Sequence, residues 1–250
     1  MRKIIDAHAH ITHEVFDQFA NALENSELTG VNIISVPQYY PSNQSLSLAQ
    51  KLKERTHKDI YFTASLGFED LKNNAKMLQS NEVSCVKIHP RIQGLSANQV
   101  KELVKKASEL GINKPIIIDM FPYRSGNYRI SENTPTAYEE LLQYYPNQKF
   151  VFAHFGGIYL REVFMMMKCY PNLFADTSLI TRYFRNSPLL DELFYFIHRL
   201  EGNRVLFGSD FPEIEFQENI DLHNAYFKKA GVKSRDVEKI FSSNYLELIS

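Results

Sequence analysis

Eight short β-branched and aromatic runs alternate with amphipathic helical stretches along this chain, and that alternation restricts it to a parallel α/β architecture. The runs are Ile4–His8, Asn32–Val36, Ile60–Ser65, Ser84–Ile88, Pro115–Met120, Lys149–His154, Leu173–Thr177 and Arg204–Gly208. Between them, Ala97–Leu110 places Val100, Leu103, Val104, Ala107 and Leu110 on one helical face. Ser96 is positioned to cap its start and Gly111 to stop it. Pro135–Tyr145, Ile158–Cys169, Leu189–Leu200 and Asp221–Ala230 repeat the helical pattern. Eight such units in 250 residues predict a single (β/α)8 TIM barrel spanning residues 1–250. An open doubly wound sheet would call for a glycine-rich phosphate loop after the first strand. Here that turn reads Ala7-His8-Ala9-His10.

Composition narrows the partners. Hydrophobic residues make up 44% of the chain and charged residues 23%, enough to bury a large core. Lys plus Arg is 28 and Asp plus Glu is 29, a net charge of -1. That balance gives no reason to expect nucleic acid or an anionic membrane as partner. Cys85 and Cys169 form no Cys-x-x-Cys pair, and both read as buried free thiols, which points to a reducing, cytoplasmic setting. Asp6 interrupts the first apolar stretch, so the N-terminus does not read as a signal peptide, and no run reaches the ~20 apolar residues of a membrane span.

The chemistry sits where strands stop. His8 and His10 are two apart at the end of the first strand, so they point to one face and could take two positions on one metal ion. By themselves they could equally be hydrogen-bonded core histidines. The sixth strand ends in Ala153-His154-Phe155-Gly156-Gly157 and the eighth in Gly208-Ser209-Asp210-Phe211-Pro212. Each puts an ionisable group at the C-terminal end of a barrel strand, where catalytic residues gather.

The Asp-x-His-x-His start, the Ala-His-x-Gly-Gly segment and the Gly-Ser-Asp-x-Pro segment resemble the amidohydrolase superfamily. More narrowly, they are similar to the amidohydrolase-related branch that includes carboxymuconate-semialdehyde decarboxylase-like enzymes. The closing Ile240…Asn244-Tyr245-Leu246 extends the resemblance almost to the C-terminus. The resemblance implies that His8 and His10 are metal ligands. It implies that His154 lies beside the metal and activates water or polarises substrate, and that Asp210 is both ligand and general base. Where relatives carry a fifth-strand histidine, this chain has Asp119. An aspartate there either ligates the ion, favouring harder cations, or marks a defective site. The implied cofactor is one divalent ion, with zinc first and manganese or magnesium as alternatives.

Lys87 and His89 are also two apart, at the end of the fourth strand, and read as pocket residues with Arg91, Tyr123 and Arg124. Lys87 reads as a polar or ion-paired residue rather than a carboxylated bridge between two ions. Arg91 and Arg124 suit a carboxylate-bearing substrate. Tyr39, Tyr40, Tyr128, Arg182 and Tyr183 are further loop candidates. Asp176 braces His154 from outside the ligand set or caps a helix. His57, His198 and His223 read as surface residues. The expected function is metal-dependent hydrolysis of a small organic molecule. Non-oxidative decarboxylation of a small carboxylic acid is the alternative, and a non-catalytic metal- or ligand-binding barrel the second. A homodimer is the expected assembly.

Overall fold

A computed structural model describes residues 2–37, 39, 41–121 and 133–250. The strands are β1 (Ile5–Ala9), β2 (Gly30–Ile34), β3 (Asp59–Ser65), β4 (Cys85–Ile88), β5 (Ile116–Ile118), β6 (Phe150–Phe152), β7 (Leu173–Asp176) and β8 (Val205–Leu206). They pair in chain order, each parallel to the next. The first and last strands meet as well. Ala7 N donates to Phe207 O at 2.8 Å, His10 N donates to Phe211 O at 2.9 Å, and Ala9 bridges to Phe211. Eight parallel strands therefore form the expected nearly closed TIM barrel, with helices packed outside.

The major outer helices are α1 (Phe16–Glu24), α2 (Ser42–Thr56), α3 (Phe68–Gln79), α5 (Ala97–Glu109), α6 (Glu139–Tyr144), α7 (Leu160–Cys169), α9 (Pro188–Arg199) and α10 (Phe216–Ala230). Short helices α4 (Pro90–Gln93) and α8 (Ile180–Tyr183) follow β4 and β7, and α11 (Ser234–Glu238) and α12 (Asn244–Ile249) end the chain. α5 shows how local sequence sets a boundary. Ser96 Oγ accepts from Gln99 N at 3.3 Å while Gln99 Oε1 accepts from Ser96 N at 2.9 Å, a reciprocal capping box. Leu110, expected on the buried face, lies past the last turn and is exposed.

Strand alternation divides the core in two. Ile4, Val31, Ile33, Val86, Ile88, Phe150, Phe152 and Leu173 face the helices. Ile5, Ala7, Ile34, Cys85, Ile117, Val151, Ala153, Phe174 and Leu206 fill the barrel itself. Tyr245 and Leu248 of α12 join that inner cluster and close its N-terminal end. The two cysteines differ: Cys85 is buried as expected, whereas Cys169 is exposed. Cys169 ends α7 off the face that buries Leu160, Val163 and Met167. His223, read as a surface residue, is fully buried instead. It faces inward from α10 among Phe194, Phe207 and Phe227. Among the described residues, no helix is long and apolar enough to cross a membrane.

Candidate metal centre

Two backbone irregularities aim the histidines. On β1, Ile5 and Ala7 point into the barrel, so plain alternation would turn His8 outward. The β1–β2 register shifts between Asp6 and Ala9, and this bulge turns His8 and His10 inward together. On β6, Val151 and Ala153 point inward, and alternation would again send His154 out. His154 instead has φ 58 and starts a run of four left-handed residues through Gly157. Leu179 (φ 60) after β7 and Asp210 (φ 64) after β8 are left-handed too. Such non-glycine residues carry strain that persists where packing enforces it, and they gather at functional sites. Gly208 is required for a different reason: a Cβ there would lie 3.0 Å from both His8 Cβ and Ser178 Cβ.

The side chains converge at the C-terminal mouth. His8 Nε2 lies 3.3 Å and His10 Nε2 3.1 Å from Asp210 Oδ1. The far nitrogen of each ring is committed elsewhere. His10 Nδ1 faces the Ile34 carbonyl at 2.9 Å, and His8 Nδ1 faces Asp176 Oδ2 at 3.0 Å. Both partners only accept, so each Nδ1 carries a proton, and whenever the ring is neutral its Nε2 keeps the lone pair. A lone pair against a carboxylate oxygen is repulsive unless a proton or another cation lies between them. His154 repeats the pattern. Its Nδ1 faces the Ser178 carbonyl at 3.2 Å, and its Nε2 faces Asp119 Oδ1 at 3.3 Å. Donor atoms of His8, His154 and Asp210 all lie within 4.8 Å of one another. Imidazole nitrogens with a carboxylate oxygen form the donor chemistry of zinc and its neighbours, so these residues fit a divalent ion.

Lys87 is the cation that meets this arrangement. Its Nζ donates to His8 Nε2 at 2.8 Å from a buried position on β4. A metal ion taking the His8 lone pair would have to displace it. Burial, followed by the charge of Lys87, lowers His8 to about 4. Burial penalises the Asp210 carboxylate, but the His10 hydrogen bond holds it far below the usual range. Asp119 is likewise held well below that range against burial, by the His154 hydrogen bond and then Lys87. His154 is raised against burial, by Asp119 and then Asp210. Asp6, buried beneath the site, is pushed up to about 7 by that burial; its Oδ1 accepts from His8 N at 2.9 Å and Ser209 N at 3.1 Å.

The remaining candidates separate. His89 is buried and neither ring nitrogen has a hydrogen-bond partner among the described residues. Arg91 reaches Asp119 Oδ2 at 3.5 Å and lies over the Phe121 ring at 5.7 Å. Asp176 braces both histidines, His8 through its ring and His154 through a backbone N–H at 2.9 Å. Arg182 is exposed and donates to Glu213 O at 2.7 Å, on the rim. Tyr39 and Tyr183 are exposed. Tyr40, Tyr123, Arg124 and Tyr128 lie outside the described residues. The sequence reading missed Ser178, although it stands only two residues past Asp176, in the turn that follows β7.

The sequence model of a family described as Amidohydrolase matches residues 75–248. That span includes Lys87, Asp119, His154, Asp176 and Asp210 and leaves out the β1 pair. No curated protein matches the sequence in a direct comparison. Among solved structures, an uncharacterized TIM-barrel protein from Bordetella bronchiseptica is similar at TM-score 0.76 and 13% identity, covering 98% of each chain. A dihydroorotase from Campylobacter jejuni is similar at TM-score 0.68 and 16% identity, over 99% of this chain and 83% of that one. An amidohydrolase from Mycoplasma synoviae reaches TM-score 0.62 at 13% identity, over 98% and 87%. At such identities the likeness is one of fold.

Proposed function

Because the chain belongs to the amidohydrolase family, we propose that it is a metal-dependent hydrolase acting on a small, carboxylate-bearing organic substrate. One observation carries the reading: His8 Nε2 and His10 Nε2 both present to Asp210 Oδ1 with their opposite nitrogens already committed. The strained backbone at His154, Leu179 and Asp210 supports a working site over a non-catalytic barrel. His8, His10 and Asp210 would hold the ion, with the His154–Asp119 pair beside it. Zinc suits the nitrogen-rich donors, and manganese or magnesium would gain from Asp119.

A divalent ion held there supplies Lewis acidity, lowering the pKa of water and polarising a carbonyl. The protein's own groups do the rest. Asp210, held as a carboxylate, takes the proton of the attacking water. His154, whose charged form Asp119 and Asp210 favour, then carries a proton on both nitrogens and donates its Nε2–H to the oxygen that gains negative charge. Asp119 Oδ1 and His154 Nε2 would offer the ion further donor atoms. Arg91 offers a guanidinium for the substrate carboxylate, and the ring nitrogens of His89, unpaired among the described residues, offer further hydrogen bonds to it.

The test is turnover of a panel of small carboxylate-bearing amides, esters and unsaturated acids by zinc-loaded protein in oxygen-18 water. Hydrolysis puts one heavy oxygen into the product and releases no carbon dioxide. Carbon dioxide without heavy-oxygen incorporation would replace the hydrolase with a decarboxylase.

A further inference from the structure

Ser178 is fully buried behind the site histidines, and its hydroxyl touches three of the site's side chains. Its Oγ lies 2.9 Å from His8 Nδ1 and 2.9 Å from His154 Nδ1, and it hydrogen-bonds Asp176 Oδ1. A hydroxyl has one hydrogen and two lone pairs. Asp176 Oδ1 is an ionised acceptor, the strongest claimant for that hydrogen. With the proton spent on Asp176, the hydroxyl can only accept from the two imidazoles. Each Nδ1 must then carry hydrogen, which agrees with the Asp176 Oδ2 contact of His8 and the Ser178 carbonyl contact of His154.

We infer that Ser178 is a positioning residue that fixes the tautomers of His8 and His154 together, holding both Nδ1–H groups so that both Nε2 atoms face the mouth. The two rings come from different strands and stand with centroids 4.9 Å apart. One hydroxyl, oriented by one carboxylate, thus sets the direction of two imidazoles. The backbone supports the arrangement: Ser178 N donates to Asp176 Oδ1 at 3.0 Å, and the left-handed residue Leu179 follows at once. Gly208 leaves the space into which Ser178 and His8 pack. Without the hydroxyl His8 keeps a charged acceptor, Asp176 Oδ2 at 3.0 Å, whereas His154 keeps only the neutral Ser178 carbonyl at 3.2 Å. Losing the hydroxyl therefore loosens His154 more than His8.

The inference rests on the reading that these rings work through Nε2, and its test separates the two. Nitrogen-15 histidine spectra of the metal-free full chain, taken at alkaline pH where the rings are neutral, report each tautomer directly. Wild type is expected to show His8 and His154 protonated at Nδ1. Ser178→Ala is expected to leave His8 in place, give His154 a mixture of both tautomers, and weaken zinc binding about 10- to 100-fold by calorimetry. Ser178→Thr, which keeps the hydroxyl, is expected to restore both. Circular dichroism and Tm check that each variant is folded. Wild-type rings protonated at Nε2, or a folded Ser178→Ala with unchanged His154 signals and zinc affinity, would overturn the inference. Failure of wild type to bind zinc would instead defeat the metal reading, while the spectra still decide the tautomers.

Discussion

The N-terminal end of the barrel is closed by Tyr245 and Leu248 packing on Ile5, Cys85 and Phe174, whereas the C-terminal end is lined by His8, His10, Lys87, Asp119, His154 and Asp210. Both ends are buried, yet their energetics are opposite. The lower plug gains free energy from apolar burial. The upper end gathers charges out of water and holds His154 and Asp210 in left-handed backbone, each of which costs stability. The difference teaches that one end of the fold holds the other together. Substitutions should therefore divide cleanly into those that lower turnover and those that lower stability.

The largest separation is expected at Asp210. Asp210→Asn keeps the shape and removes the proton acceptor, so kcat should fall about 10²- to 10⁴-fold while Tm stays near wild type. Steady-state kinetics on the substrate found by the oxygen-18 panel, beside calorimetric melting, checks both halves. The reverse is expected below: Leu248→Ala opens a cavity in the plug and should cost about 2–5 kcal/mol in urea unfolding with zinc affinity unchanged. A Leu248 variant that loses zinc without losing stability would break the comparison.

His223 sharpens it through pH. Burial lowers this imidazole to about 4, and its ring nitrogens face Thr177 Oγ1 and Asn219 O at 2.8 Å. The unfolded ring, near ~6.5, binds protons more readily than the folded one, so its contribution is intact above that pH and is lost as pH falls toward 4. Between about pH 7 and about pH 5 the loss should be roughly 2 kcal/mol. Urea titrations of wild type and His223→Gln at both pH values check it, since the variant should lose less on acidification. The smallest effect is at the rim of the helical layer, where Ser96→Ala removes the α5 cap and should cost about 1 kcal/mol with no change at the mouth.

The same contrast explains what could be read from sequence. On β4, β5 and β7 the inward positions alternate simply, so Cys85 leads to Lys87 and His89, Ile117 to Asp119, and Phe174 to Asp176. Spacing alone finds them. On β1 and β6 the histidines face the mouth because a bulge and a left-handed turn break the alternation, and no period-two pattern announces either. His8 and His10 were still legible as a pair, since their own spacing of two survives the bulge. Ser178 stands close to Asp176 in sequence but carries no group that draws attention to itself. The Lys87–His8 contact depends on two strands meeting across the barrel, which linear spacing does not encode. His223 and Cys169 went astray for a simpler reason: each sits on a helix whose buried face depends on which strand it covers.

The central claim is that His8, His10 and Asp210 share one ion. Elemental analysis of the purified full chain after zinc loading and removal of loose metal tests it most directly, with the folded His8→Ala/His10→Ala double variant alongside. The account predicts one zinc per wild-type chain and none in the variant. Equal zinc in both, or none in either, would contradict it.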